Sequence, residues 1–284
     1  MDRRSFIKTG LGAAALGVSV HSFSSSLFAA EKRIPIALQL YSVRDQMAKD
    51  VAGTIKKVAA IGYKGIEFAG YYNMSAKDLR KIADDNGLLI VGTHLKVETL
   101  IGEEFEKTVE FNKILGNSHL TVSSGLAGVN NIDGPNRIAA NLFNELSIKA
   151  EAVGMHIGYH AHGNDFEIVQ GKKITGWDLF FQRTRKEVMM QMDAGNCLKG
   201  GGDPYLPIKK FPGRTLQLHA KPGGAGGVAL GSPEDTVDWK RIFDLCESVG
   251  GTQWYIVEQS PAKDGDSIAT AKACFEGLKK LGKC

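Results

Sequence analysis

The sequence predicts a single (β/α)8 barrel, the TIM-barrel architecture, on three observations. Short apolar runs alternate with longer amphipathic ones, the pattern of strand–helix units that pair in parallel with right-handed crossovers. Eight such units follow the first thirty residues. No Pro-rich or low-complexity linker divides them, and a closed eight-unit barrel typically needs roughly 250 residues. An open doubly wound sheet is the competing arrangement. No Gly-x-Gly-x-x-Gly follows the first strand, which removes its usual dinucleotide-binding form.

The candidate strands are 36–41, 65–68, 88–92, 119–123, 156–160, 188–193, 215–219 and 254–258. The candidate helices lie near 48–61, 75–86, 103–116, 135–153, 176–184, 204–210, 235–249 and 264–281. Thr54-Ile55-Val58-Ala59-Ile61 and Leu79-Ile82-Ala83 show the three-and-four spacing of one buried helix face. Gly62, Gly87, Gly116, Gly154 and Gly250 each stand between a helix and the next strand, where a left-handed C-cap is expected.

With 43% hydrophobic and 23% charged residues in 284, the chain has the composition of a soluble globular protein. Collagen-like, disordered and disulfide-scaffold classes are excluded. A formal charge of +4 is too small and too evenly spread to point to nucleic acid or an anionic membrane.

Residues 1–30 have the pattern of a twin-arginine signal peptide, ahead of a barrel over 31–284. Arg3-Arg4-Ser5-Phe6-Ile7-Lys8 opens it, a weakly apolar run from Gly10 to Val20 follows, and small residues end at Ala29-Ala30. His21 and the serines after it keep the run short of the roughly 20 apolar residues of a membrane span. Cleavage near Ala30 leaves 254 residues; losing Arg3, Arg4, Lys8 and Asp2 lowers the charge to +2. The expected location is a bacterial periplasm, reached through the twin-arginine export machinery. Cys197, Cys246, Cys274 and Cys284 form no Cys-x-x-Cys pair, so no zinc ribbon or redox motif is visible.

In such a barrel the chemistry lies at the C-terminal mouth, where strands end. The second strand ends in Glu67-Phe68 and the third runs into Thr93-His94. The fifth gives His160-Ala161-His162, the sixth Gln191-Met192-Asp193, the seventh His219-Ala220-Lys221 and the eighth Val257-Glu258. Residues two apart on a strand share a face, and apolar residues before Asp193, His219 and Glu258 turn these three inward. Each alone has a plain structural role available, a helix N-cap for Asp193 for instance. Four successive strands that each end in a potential ligand point instead to a divalent metal. The set His160, Asp193, His219 and Glu258 suits one Mn²⁺, Zn²⁺, Fe²⁺ or Co²⁺ better than Mg²⁺ or Ca²⁺, which prefer oxygen-only shells. His119 and His156 begin strands, on the stability face, and His21 lies in the leader; none is read as catalytic.

Tyr159-His160-Ala161-His162-Gly163-Asn164-Asp165-Phe166-Glu167 resembles the Tyr-His-Asn-His-x-x-Phe-Glu segment of the xylose isomerase-like, or sugar phosphate isomerase/epimerase, family. Asp193-Ala194-Gly195-Asn196, Phe211-Pro212-Gly213-Arg214 before His219-Ala220-Lys221, Val237-Asp238-Trp239 and Ile256-Val257-Glu258-Gln259 resemble later stretches of that family in order. The resemblance implies one divalent ion at the barrel mouth and a sugar or cyclitol bound to it. It carries Asp193, His219 and Glu258 over as metal ligands. His160 stands where the family often has a glutamate, with His162 at the following His, so one of the two opposed acid/base carboxylates is missing. Which of His160 and His162 is the strand-five ligand stays open.

The expected reaction is isomerisation or epimerisation of a non-phosphorylated keto or aldo sugar, or a cyclitol, through a metal-stabilised enediolate. His162 or Glu258 would take the proton beside the carbonyl, and Lys221 would pair with the substrate or brace Asp193. Glu67 and His94, with His162, are candidates for substrate contact or for support of the ligands. Loss of a β-substituent would make the protein a lyase, an inosose-type dehydratase or a 3-keto-glycoside-cleaving enzyme. A non-catalytic sugar-binding barrel is a further alternative. The glycine-rich stretches 199–204 and 222–227 are candidate lids or, less in keeping with an exported protein, a phosphate cradle. Metal-dependent DNA repair chemistry is disfavoured by the low charge.

Overall fold

The computed structural model describes residues 33–284, apart from Ala127. The leader, its arginine pair and the cleavage point lie outside the described residues. Eight parallel strands close into a barrel in chain order. They are β1 (Ile36–Gln39), β2 (Gly65–Ala69), β3 (Leu89–Lys96), β4 (His119–Ser124), β5 (His156–His160), β6 (Met189–Asp193), β7 (Gln217–Ala220) and β8 (Trp254–Val257). β1 pairs with both β2 and β8, which leaves no free edge. Among the described residues no helix is long and apolar enough to cross a membrane.

The predicted elements and the observed ones differ in ways that follow from local chemistry. The first helix is two pieces, Arg44–Met47 and Val51–Ile61, because the Asp50 carboxylate accepts from the Gly53 amide and starts a new N-terminus. β3 continues four residues past 92, pairing Thr93, His94 and Leu95 with β4. His94 is therefore inside the strand rather than beyond its end. The segment 235–249 begins its helix only at Trp239, capped by Asp238, and ends in a turn of π-helix, Cys246–Gly250. Gly62, Gly87, Gly116 and Gly154 have the positive φ expected of them, but after the π-turn it is Gly251, at φ 71°, that takes this role instead of Gly250. A further helix that the hydrophobic pattern does not predict, Ala194–Lys199, starts directly on Asp193.

The barrel axis is filled in layers. Ala37, Val91 and Ile256 form a dry floor. Above it lie Gln39, Glu67, Gln191 and Gln217, all fully buried, and above these the histidines and carboxylates of the mouth. Outside the barrel, Trp177, Phe143, Phe180 and Phe181 seal the helices against the strands. His119 and His156 stack at the opposite end, 5.1 Å apart, away from the mouth.

Arg214 ties this outer layer to the sheet. Its guanidinium, 5% exposed, donates to the carbonyls of Val188 and Phe181 and to Thr184 Oγ1, and stacks on Phe181. Replacing it strands buried carbonyls, each costing about 1–3 kcal/mol. Arg214→Met is expected to lower unfolding stability by about 3 kcal/mol, seen as an earlier urea midpoint with an unchanged slope.

Candidate metal centre and active site

The mouth is built from the polar layer upward. Glu67 sits in the barrel axis with no exposed surface. Its Oε1 accepts from Gln191 Nε2 at 2.7 Å, and its Oε2 from Gln39 Nε2 at 2.6 Å and His219 Nε2 at 2.7 Å. His94 Nε2 lies 3.2 Å from the same Oε2. Burial works to raise the Glu67 pKa, but His94 and His219 outweigh it and hold the carboxyl well below its usual range. Glu67, with no exposed surface, does not line the cavity above the centre, so of its two expected roles the geometry matches support: it holds His219 and His94 from beneath.

Four strand ends then converge. One ligand-type atom from each of His160, Asp193, His219 and Glu258 lies within 4.8 Å of the others. His219 Nδ1 is 3.0 Å from Glu258 Oε2 and 3.9 Å from Asp193 Oδ2, and His160 Nε2 is 4.0 Å from Glu258 Oε2. Asp193 caps the following helix with Oδ1, accepting from the Asn196 amide at 2.7 Å. Capping and ligation are thus compatible, with one oxygen for each. The second oxygen, Oδ2, is buried with no hydrogen-bond partner among the described residues. An unpartnered buried carboxylate oxygen facing two imidazoles and a second carboxylate is what a divalent cation would satisfy. The two-nitrogen, two-oxygen donor set fits Mn²⁺, Zn²⁺, Fe²⁺ or Co²⁺.

The protonation states follow from this crowding. Burial raises the Asp193 pKa to about 7, with Lys221 opposing and Glu258 adding to the rise. Burial also disfavours charge on His219, yet Glu67 and Glu258 outweigh it and lift the ring to about 10. His160 is held well below the usual histidine value by burial and by its neighbours His94 and His219. Glu258 stays ionised: burial opposes this, but the His219 hydrogen bond and the Lys221 charge prevail. Lys221 donates to Glu258 Oε1 at 2.8 Å and stands 4.0 Å from Asp193 Oδ2, so it braces Glu258 first.

Above the centre opens a cavity of about 560 Å³, lined on the inner side by His94, His160, His162 and Glu258. Tyr41, Tyr71, Lys96, Thr99, Ser123 and Ser124 line the outer side. His162 stands at the rim beyond the strand, its ring edge-to-face with His160 at 4.8 Å. Partial burial pulls its pKa below the usual value. His160, inside the barrel, is therefore the strand-five residue in the cluster, and His162 faces the cavity. Of the eight residues singled out from the sequence, seven meet at this cavity or the cluster under it, and Glu67 lies one layer below. The cavity's outer residues carried no signal of their own. The glutamines did: Leu38-Gln39-Leu40, Met190-Gln191-Met192 and Leu216-Gln217-Leu218 each set one amide among apolar neighbours, on the inward face.

A parallel eight-stranded barrel with a His-Asp-His-Glu cluster at its mouth has its candidate chemistry where barrels of this class carry their active sites. The chain belongs to the xylose isomerase-like TIM barrel family, whose pattern matches residues 55–281. Two solved structures of sugar phosphate isomerase/epimerases from Parabacteroides distasonis are similar. One is 26% identical, with a TM-score of 0.75, over 86% of this chain and 97% of its own. The other is 24% identical, with a TM-score of 0.76, over 90% and 97%. The probable 3-DHS dehydratase of Bacillus anthracis shares the fold at 14% identity and a TM-score of 0.61, over 86% of this chain and 98% of its own. No curated protein matches the chain.

Two of the four candidate ligands hold a proton near neutrality without an ion, Asp193 with a pKa of about 7 and His219 about 10. Both must give it up to ligate. Binding of Mn²⁺ or Zn²⁺ at pH 6.5 is therefore expected to release protons, with affinity rising as pH increases from 6 to 8. Titration calorimetry in two buffers of different ionisation enthalpy measures this, and an affinity flat in pH would contradict the ligand set.

Proposed function

We propose that the protein is a divalent-metal-dependent isomerase or epimerase of a non-phosphorylated keto or aldo sugar, or of a cyclitol. The observation that carries this reading is the buried Asp193 Oδ2, without a hydrogen bond among the described residues, facing His160, His219 and Glu258 beneath a cavity of sugar size. A cation held by these four residues would supply Lewis-acid polarisation of a substrate carbonyl.

The chain's own residues supply the rest. His162, neutral near pH 7 and at the cavity rim, accepts a proton from the carbon beside the carbonyl. Its backbone amide donates to Asp165 Oδ2 at 2.6 Å, and Asp165 Oδ1 accepts from the Tyr159 hydroxyl, which fixes the turn that carries the ring. Lys221 stays charged because the Asp193 and Glu258 carboxylates outweigh its burial, and its ammonium offsets negative charge developing on the substrate. Return of the proton by His162 to the neighbouring carbon isomerises the sugar; a proton delivered by water from the opposite face of the same carbon epimerises it.

A non-phosphorylated substrate is supported by the loop after β7. The Asp235 carboxylate already accepts from the amides of Gly223, Gly231 and Val237, so an internal anion takes the place a phosphate would need. The other glycine-rich stretch is braced too: a Cβ on Gly200 would clash with the carbonyl oxygen of Gly163, so it packs against the turn after β5 instead of arching over the mouth as a lid.

Elimination is the second reading, favoured by one observation: the cluster has an imidazole, His160, in place of a second acid/base carboxylate. Loss of a β-hydroxyl or an aglycone after the same proton abstraction would then end the reaction. The leader supports export to a periplasm by the twin-arginine route; N-terminal sequencing of the exported protein, with a start after Ala30, checks that.

Incubation of the metal-loaded protein with keto sugars, inososes and 3-keto-glycosides in D₂O separates the outcomes. Carbon-bound deuterium without loss of mass other than exchange supports isomerisation or epimerisation, and a released water or aglycone supports elimination. His162→Gln is expected to lower kcat by roughly 10²–10⁴-fold while the metal content is retained. Unchanged turnover in that variant would remove His162 from the reaction.

A further inference from the structure

We infer that Gln191 is a positioning residue for the metal centre: its amide dictates which nitrogen of His160 carries the proton and, together with Glu67, which nitrogen of His94 does, and so which ring nitrogen faces upward. The inference rests on the metal-centre reading and deepens it. Gln191 is fully buried and uses both N–H groups and both lone pairs of its oxygen.

The direction of every hydrogen bond here can be followed from groups that have only one role. The Val91 backbone carbonyl only accepts, and it takes the Gln217 Nε2 hydrogen. That turns Gln217 Oε1 toward Gln191, 2.9 Å away, so the atom facing it is Gln191 Nε2. The same nitrogen meets Glu67 Oε1 at 2.7 Å, another acceptor. Glu67 in turn accepts from Gln39 Nε2, whose orientation is set because Gln39 Oε1 accepts from the Tyr41 amide. Gln191 Oε1 is thereby left facing the imidazoles, 3.0 Å from His160 Nδ1 and 2.8 Å from His94 Nε2.

An amide oxygen cannot donate, so both of those ring nitrogens carry hydrogen. With Nδ1 donating to the amide oxygen, the nitrogen that His160 can offer a cation is Nε2, which lies on the side of Glu258 and Asp193. His94 donates through Nε2, and its Nδ1 has no partner among the described residues while the ring lines the cavity. One side chain thus sets a ligand atom of the metal and the ring nitrogen that His94 turns to the pocket. It is placed to do so because it lies two residues before Asp193 on β6, on the same inward face.

Gln191→Met keeps length and volume and removes the acceptor. Long-range ¹H–¹⁵N correlation spectra of the ion-free protein at neutral pH report imidazole tautomers, which a purely structural role would not move. The wild type is expected to show His160 as Nδ1–H and His94 as Nε2–H. In the Met variant the His160 resonances are expected to move to the Nε2–H pattern, with Mn²⁺ or Zn²⁺ affinity falling roughly 10–100-fold by calorimetry. The tautomers of the unsubstituted protein, read from the same spectra, test the point if the Met variant does not fold. An Nε2–H tautomer for His160 in the wild type overturns the inference, as does a Met variant with wild-type tautomers and affinity. A wild type with the expected tautomers that binds no divalent ion overturns the metal-centre reading and leaves the tautomer assignment standing.

Discussion

The molecule's active end depends on one buried charge. Glu67 lies in the barrel axis, out of reach of water, where an unpaired carboxylate would cost far more than any single contact returns. The chain surrounds it with donors: Gln39, Gln191, His94 and His219. Two of these donors are imidazoles of the mouth, and by donating downward they are turned so that their other nitrogen faces up. The cost of burying one charge is thereby converted into orientation for the groups above it. Size matters as well. A Cβ on Gly92 would stand 2.7 Å from Glu67 Oε1, so the strand beside the carboxylate has to lack a side chain at that position.

The period-two geometry of a strand explains why the ligands arrive together. Gln191 and Asp193 share the inner face of β6; Gln217, His219 and Lys221 share that of β7 and its extension. Each strand therefore carries a support residue below and a functional residue above, in register with its neighbours, since Asp193 pairs with His219 across the β6–β7 ladder. Precision comes from the ladder and not from the loops, which lets the loops differ without moving the ligand atoms. The Asp193 carboxylate shows the coupling most directly, one oxygen capping a helix and the other pointing into the cluster.

Much of this is legible in the sequence, because barrel strands and helices differ in period and because several successive strands ending in polar, ligand-type residues rarely do so by chance. The closed barrel and the grouping of His160, Asp193, His219 and Glu258 follow from period and alternation. The parts that are not legible have physical causes. Gln39, Gln191 and Gln217 look like tolerated polar residues in apolar strands, and nothing local says that they meet; that is a property of barrel closure, which brings positions 26 to 124 residues apart into one hydrogen-bond layer. Glu67 stands near a strand end and so reads equally as a substrate contact or as support for the ligands; its full burial beneath His94 and His219 puts it in the second place. The full length of β3 is hidden because Gly92 and Thr93 look like a strand end until pairing with β4 is known.

The imidazole of His160 changes the electrostatics of the proposed reaction. Two carboxylates, Asp193 and Glu258, would balance a divalent cation, and Lys221 beside Glu258 offsets the Glu67 charge one layer below. A glutamate at 160 would add a further negative charge to the mouth and offer a second base. With histidine there, held neutral by burial, the centre is better at stabilising an anion that grows on the substrate than at taking a proton itself. Glu258, pinned between His219 and Lys221, is also poor as a base. The proton acceptor then has to stand outside the cluster, on a group that is neutral, exposed to the cavity and near the reacting carbon. His162, two residues along on the same face as His160, meets those requirements. The imidazole at 160 and the proposed division of labour between the two histidines are in this sense a single consequence: a centre suited to holding charge needs a neighbour suited to moving protons.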